Sequence, residues 1–99
     1  MVRYAVQWSE SASDDLQAIH DYLVTVTSKA TAERIVLEIE ESTRLLPEQP
    51  RLYQVFPDSI ERARHIVIHS WRVLYVVDDA ERRCMVLSVI HTSRGKQTH

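Results

Sequence analysis

The residues that could do chemistry in this chain are arginines and a histidine in its second half. Arg72 lies inside the apolar run HSWRVLYVV, which begins at His69 and otherwise predicts a central β-strand. A buried guanidinium without partners is costly. Arg72 must therefore be paired, tie the structure together, or face a cleft where an anion or a partner docks. The residues themselves leave these three alternatives open.

Strand alternation predicts where this arginine points. Side chains two residues apart share a face, so Arg62 and Arg64 lie together on the preceding strand. If the helices cover the side of the next strand that carries Trp71, then Arg72 points to the uncovered face. Both sets of arginines are then expected to share an exposed cleft, and Arg72→Ala should cost within roughly 1 kcal/mol of folding free energy.

A cationic cleft of this kind suits a phosphodiester backbone or an acidic peptide. Cleavage of RNA through its 2′-hydroxyl needs a base, cations around the phosphate and an acid at the leaving oxygen. His91 would be the base or acid, with Arg64 and Arg72 as phosphate clamps. For a peptide, the predicted partner-binding residues are Arg62, Arg64, Arg72 and Arg94. The alternative is that these arginines only form salt bridges and that His91 is an ordinary strand-end residue.

The first half of the chain predicts a strand and two helices. Alternation over Arg3–Trp8 indicates the strand. Serines that could cap a helix follow it, and an apolar stripe then recurs at helical spacing, at Ala12, Leu16, Ile19, Leu23 and Val26. The polar side of this helix carries Asp14, Asp15, Gln17 and Asp21. A second stripe predicts a helix that Pro47 and Pro50 end, and its members are Ala32, Ile35, Val36, Ile39 and Leu46.

The second half predicts a loop and three strands. Residues 47–61 hold all three prolines, and burial is expected for the loop residues Leu52, Tyr53, Val55 and Phe56. The segments RARHIVIH, SWRVLYVV and RRCMVLSVIH follow with turns too short for anything but antiparallel hairpins. The predicted fold is α+β, in the order β-α-α-β-β-β, with a helical hairpin on one face of a mainly antiparallel sheet.

Composition narrows the class of protein. Ninety-nine residues, 44% of them hydrophobic, predict a single domain over residues 1–99. No run is long enough for a membrane span, and the single cysteine, Cys84, favours a reduced, cytoplasmic setting. The chain has no CxxC, GxSxG or glycine-rich phosphate loop, and no metal or cofactor is predicted. The net charge is −2, but residues 51–99 hold eight basic and five acidic residues, so any anion affinity belongs there.

Two stretches of the chain resemble a known family. The opening YAVQWSESASDDLQAIHDYL resembles the start of ParE-type toxins of the RelE/ParE superfamily. The close is similar to that superfamily's strand hairpin and last strand, with SWRVLYVVD followed by VLSVIHTSR. The similarity covers nearly the whole chain in the right order. It implies the β-α-α-β-β-β fold and a toxin of a type II toxin–antitoxin module, silenced by an antitoxin that wraps the toxin in a hetero-oligomer.

The resemblance also implies two alternative activities. ParE-like members poison DNA gyrase, whereas RelE-like members cut mRNA in the ribosome. Arg72 after Trp71, Arg64 on the preceding strand and His91 match parts of the RelE-like pattern. The paired lysines of that preceding strand and the tyrosine near the C-terminus are missing here. We therefore expect a gyrase inhibitor rather than an enzyme, with a ribosome-dependent mRNA endonuclease as the alternative and an inactive antitoxin-binding module as a third.

Overall fold

Two helices pack on one face of a four-stranded sheet. A computed structural model describes residues 2–93. The elements are β1 (Ala5–Trp8), α1 (Glu10–Val26), α2 (Lys29–Glu41), β2 (Arg64–Ile68), β3 (Trp71–Asp78) and β4 (Arg83–His91). The spatial order is β1-β4-β3-β2, with β1 parallel to β4 and the other pairs antiparallel. The α+β class and the element order predicted from the sequence are confirmed.

Helix α1 begins at a serine cap that also fastens it to the sheet. The Ser9 hydroxyl accepts a hydrogen bond from the Ala12 amide at 3.0 Å and donates one to the Leu87 carbonyl at 3.0 Å. The predicted apolar stripe is buried from Ala12 to Leu23, but Val26 is exposed. The stripe therefore ends one turn earlier than the sequence pattern indicates.

Helix α2 ends before the prolines that were predicted to end it. Its last residue is Glu41, and turns follow. The hydroxyls of Ser42 and Thr43 donate to the carbonyls of Ile39 and Glu40, at 2.6 and 3.0 Å. Such local bonds compete with helix continuation and end it early. Leu46 is nevertheless fully buried, so the apolar position was identified correctly although its element was not.

The central strands carry the core on the side of the helices. Val73 and Tyr75 of β3 are fully buried, and their β4 partners Val89 and Val86 are buried with them. Leu74 pairs with Ser88 while Tyr75 pairs with Val86, so β4 holds one extra residue at this β-bulge. Within residues 2–93, no helix is long and apolar enough to cross a bilayer.

The loop after α2 adds a short pairing to the free edge of β2. The Phe56 amide donates to the Ala63 carbonyl at 2.7 Å, and the His65 amide donates to the Gln54 carbonyl at 3.1 Å. Phe56 is buried, as predicted, whereas Leu52 is exposed, so the expected burial of Leu52 is wrong. This pairing places Phe56 over the sheet face that the helices leave open.

Candidate functional site

Arg72 lies on the sheet face away from the helices, but it is not exposed. Only 9% of the residue is accessible to solvent, because Phe56 covers it. The guanidinium carbon lies 4.5 Å from the centroid of the Phe56 ring, a cation–π contact. The prediction that Arg72 opens onto a cleft is therefore wrong. Phe56, a loop residue distant in sequence, occupies the space beside Arg72 that strand alternation alone predicts to be open.

His65 is the second partner of this arginine. The Arg72 Nε donates a hydrogen bond to His65 Nδ1 at 2.9 Å, and the Phe56 and His65 ring centroids are 5.1 Å apart. Burial, followed by the positive charge of Arg72, lowers the pKa of His65. The imidazole is therefore neutral near pH 7, which leaves Nδ1 free to accept. We call Phe56, His65 and Arg72 the Arg72 cluster.

One corner of the guanidinium lacks a partner. Among the described residues, no group accepts a hydrogen bond from the buried Arg72 Nη1. A buried donor without an acceptor costs free energy, and the ring face and the imidazole offset only part of it. Arg72 therefore corresponds to the second alternative from the sequence, a residue that ties the structure together.

Arg64 lies on the opposite face of the sheet. It pairs with Tyr75, and the next residue on its side of β2, Ile66, pairs with Val73 in the helix-covered core. The Arg64 Nη1 donates to the Tyr53 carbonyl at 2.7 Å. Arg64 and Arg72 therefore do not share a cleft, and that prediction is wrong. The prediction fails because of the register between β2 and β3. Val67 pairs with Arg72 and lies on its face of the sheet, whereas Arg64 lies on the other face.

The remaining predicted residues are dispersed. Arg62 is exposed in the loop before β2, with a left-handed backbone at φ 59°. His91 is exposed at the end of β4, where it pairs with Trp71. Arg94 lies outside the described residues.

His91 has a defined orientation. Its ring meets Trp71 edge-on, at 5.6 Å between centroids and 82° between planes. The Ser93 amide donates to His91 Nδ1 at 3.2 Å. Because Nδ1 accepts this bond, the proton of the neutral ring lies on Nε2.

A groove of about 520 Å³ opens beside His91, between α1 and the end of the sheet. Its lining comprises Asp15, Ala18, Ile19, Tyr22, Trp71, Val89, His91 and Ser93. Asp15 bridges the two walls, because its Oδ2 accepts from the Val89 amide at 2.9 Å. Sequence analysis placed Asp15 only on the polar side of α1. The sequence signal that could have identified Asp15 as a contact to the sheet was its position beside Leu16, at the edge of the buried stripe.

The residues predicted for RNA cleavage do not converge in this structure. The predicted nuclease set of Arg64, Arg72 and His91 occupies three separate places, so these residues cannot surround one phosphate as they stand. The groove at His91 instead offers aromatic walls with one carboxylate and one imidazole. Within residues 2–93, no group of three or more His, Cys, Asp and Glu side chains could hold a metal ion.

Comparisons with known proteins agree with this fold. The sequence profile described as "ParE toxin of type II toxin-antitoxin system, parDE" matches residues 6–95. Comparison with curated protein sequences found no match.

Three solved structures are similar. A chain of the chromosomal ParDE system from P. aeruginosa has a TM-score of 0.78 at 19% identity, covering 90% of this chain and 96% of that one. A chain of the RelBE2 toxin–antitoxin complex from Mycobacterium tuberculosis gives 0.65 at 23% identity, with 91% and 99% covered. A mutant of the E. coli toxin RelE in the free state gives 0.68 at 17% identity, with 96% and 90% covered. At these identities the similarity shows the fold alone.

Proposed function

The chain belongs to the family of ParE toxins of type II toxin–antitoxin systems, and from that premise we propose that it arrests growth by acting on DNA gyrase. The observation that carries this proposal is the dispersal of the nuclease candidates. Arg72 is buried under Phe56, Arg64 is bonded to the Tyr53 carbonyl on the other face, and His91 lies at the end of the sheet. Because these three side chains do not meet at one place, RNA cleavage by this chain would need other catalytic residues.

We also propose that a cognate antitoxin neutralises the toxin as a hetero-oligomer in the cytoplasm. Two similar structures belong to systems described as toxin–antitoxin pairs, which supports this partner. Arg62 and Arg64 remain proposed contacts for antitoxin carboxylates. Arg72 is a poor contact because a partner would first have to displace Phe56.

The test is a supercoiling assay with purified toxin and purified gyrase. We expect the toxin to reduce supercoiling and to trap a cleavage complex, and we expect added antitoxin to restore activity. The antitoxin control separates specific inhibition from a contaminating nuclease. Unaltered supercoiling with no trapped complex at micromolar toxin would contradict the proposal.

The second candidate is a ribosome-dependent mRNA endonuclease, and the exposed imidazole favours it. The ring lies exposed at the end of β4, where an imidazole could act as the base or the acid of 2′-hydroxyl cleavage. Primer extension on a translated message tests this reading, and His91→Ala is the matched control. Uncut transcripts would eliminate it. If expression of the chain causes no growth arrest, the third reading, an inactive antitoxin-binding module, gains support.

A further inference from the structure

The loop that carries Phe56 is joined to the edge of β2 over a short stretch. The Phe56 amide donates to the Ala63 carbonyl at 2.7 Å, and the His65 amide donates to the Gln54 carbonyl at 3.1 Å. We call residues 54–63 the Phe56 loop. The Phe56 ring, packed on the Arg72 cluster, is the part of this loop that covers the open face of the sheet.

The chain on either side of the Phe56 loop is held independently of it. Before the loop, the Tyr53 carbonyl accepts a hydrogen bond from Arg64 Nη1 at 2.7 Å, and the Pro50 carbonyl accepts one from the Tyr75 hydroxyl at 2.8 Å. After the loop, β2 is paired with β3 along its whole length. The Phe56 loop can therefore leave the sheet without unfolding the segments that flank it.

The hydrogen bond inside the Arg72 cluster requires a neutral His65. The Arg72 Nε is a donor, and it donates to His65 Nδ1 at 2.9 Å. A protonated imidazole carries a hydrogen on both ring nitrogens, so Nδ1 would become a second donor facing the first. The same proton would place two cations in contact beneath Phe56, which excludes the water that two such charges need. Proton uptake therefore replaces the attraction between Arg72 and His65 by a repulsion.

No anion in the cluster offsets this repulsion. Within residues 2–93, Arg72 Nη1 is buried and has no acceptor. Leu74, opposite His65 on β3, carries no charge, and Arg64 on β2 lies on the other face of the sheet. The charge that shifts the pKa of His65 is that of Arg72. The charged side chains of the Phe56 loop are all exposed, and they are Asp58, Glu61 and Arg62.

We propose that the Arg72 cluster closes the Phe56 loop only while His65 is neutral. When His65 takes up a proton, the Phe56 ring leaves the guanidinium, the loop opens, and Arg72 becomes accessible to solvent and to an anionic partner. The inference goes beyond the proposed function and holds for any target of the toxin.

The direction of the pH dependence follows from the pKa of His65. Burial, followed by the charge of Arg72, lowers this pKa from 6.5 in the closed form, and opening the loop relieves both causes. The open form therefore binds the proton more tightly than the closed form does. The loop is closed most firmly above pH 6.5, and closure weakens as the pH falls below that value.

Hydrogen–deuterium exchange of the full chain, followed by NMR, measures this opening. Exchange is compared at about pH 7.5 and about pH 5.5, after correction for the intrinsic pH dependence of amide exchange. The amides of Phe56 and Ala63 should open at least about threefold more often at the lower pH. The amides that pair β3 with β4 should keep their protection at both.

Two histidine variants provide the controls. His65→Asn retains an oxygen that can accept from Arg72 but does not titrate, so its loop should exchange equally at the two pH values. His69→Asn removes a histidine from the turn between β2 and β3, where asparagine tolerates the left-handed backbone at φ 55°. This second variant should keep the pH dependence of the wild type.

The proposal makes each result decisive. Equal opening of the wild-type loop at the two pH values would overturn it, and so would a pH dependence that survives in His65→Asn or disappears in His69→Asn. Loss of protection in β3 and β4 together with the loop would overturn it as well, because the loop would then not open by itself. Where His65→Asn fails to fold, His65→Gln offers another acceptor that does not titrate, and the same comparison applies to it.

Discussion

Replacing Arg72 by alanine should destabilise the fold by about 2–4 kcal/mol, and the structure provides the components of this estimate. The lost hydrogen bond from a charged donor to His65 is worth about 1.5–3 kcal/mol. The cation–π contact with Phe56 adds about 1–2 kcal/mol where water is excluded, and the two lost methylene groups add about 0.8 kcal/mol each. Against these stands the cost of the unpartnered Nη1, about 1–3 kcal/mol, which the substitution removes.

Urea unfolding of matched variants measures this change in the free energy of unfolding. Arg72→Met retains the apolar stem and removes the charge, so it should lie within about 1 kcal/mol of the wild type. The exposed Arg34, whose Nη1 lies 3.4 Å from Glu38, supplies the control. Arg34→Ala should cost less than about 0.5 kcal/mol.

The comparison between Arg72→Ala and Arg34→Ala tests whether Phe56 and His65 hold Arg72 in the folded protein. If the two unfold at the same urea concentration with the same slope, then Arg72 is not held by Phe56 and His65. The exposed cleft predicted from the sequence would then be right after all. The Arg72→Met result tests a separate point, since a loss as large as that of alanine would mean that the charge itself stabilises the cluster.

Two further predictions concern Tyr75 and the first helix cap. Burial raises the pKa of Tyr75 from 10.0 to about 12. The folded state therefore holds this proton more tightly than the unfolded state does. The stability that this difference contributes is complete below about pH 10 and is lost as the pH rises through about 12. An alkaline absorbance titration should show a late tyrosine step that Tyr75→Phe abolishes, and an unchanged titration would show that the hydroxyl is not buried. Ser9→Ala should cost about 1–2 kcal/mol in thermal or urea unfolding, because it also removes the bond to Leu87. Ser28→Ala, at the exposed cap of α2, should cost less, and equal losses would mean that the sheet contact of Ser9 contributes nothing.

Local pattern was sufficient to predict the fold. The spacing from Ala12 to Leu23 requires a buried helical stripe, and short turns require antiparallel hairpins, so the element order follows from neighbouring residues. The end of α2 was missed because the proline rule at Pro47 outweighed the hydroxyls of Ser42 and Thr43. Each of these hydroxyl hydrogen bonds contributes little stability. Ser42 and Thr43 nevertheless precede Pro47 in the chain, so the helix ends at them first.

The candidate site was harder to predict because it depends on contacts between distant segments. Alternation fixed the side of the strand on which Arg72 lies, and that part is correct. It could not show that Phe56, sixteen residues earlier, folds back over it. Nor could it give the register that sets Arg64 opposite Tyr75, since a shift of one residue changes the face of every side chain.

The parallel pairing of β1 with β4 has a consequence for synthesis of the protein. The first strand is joined to the last, and α1 is fastened to β4 by the Asp15 bond to the Val89 amide, across 74 positions of sequence. Translation proceeds from the N-terminus, so neither attachment can form until β4 has left the ribosome. Contacts this distant also slow folding. The nascent toxin therefore stays incomplete until β4 has been synthesised, and premature termination before Arg83 leaves β1 without its parallel partner strand and α1 without the strand to which Asp15 is bonded.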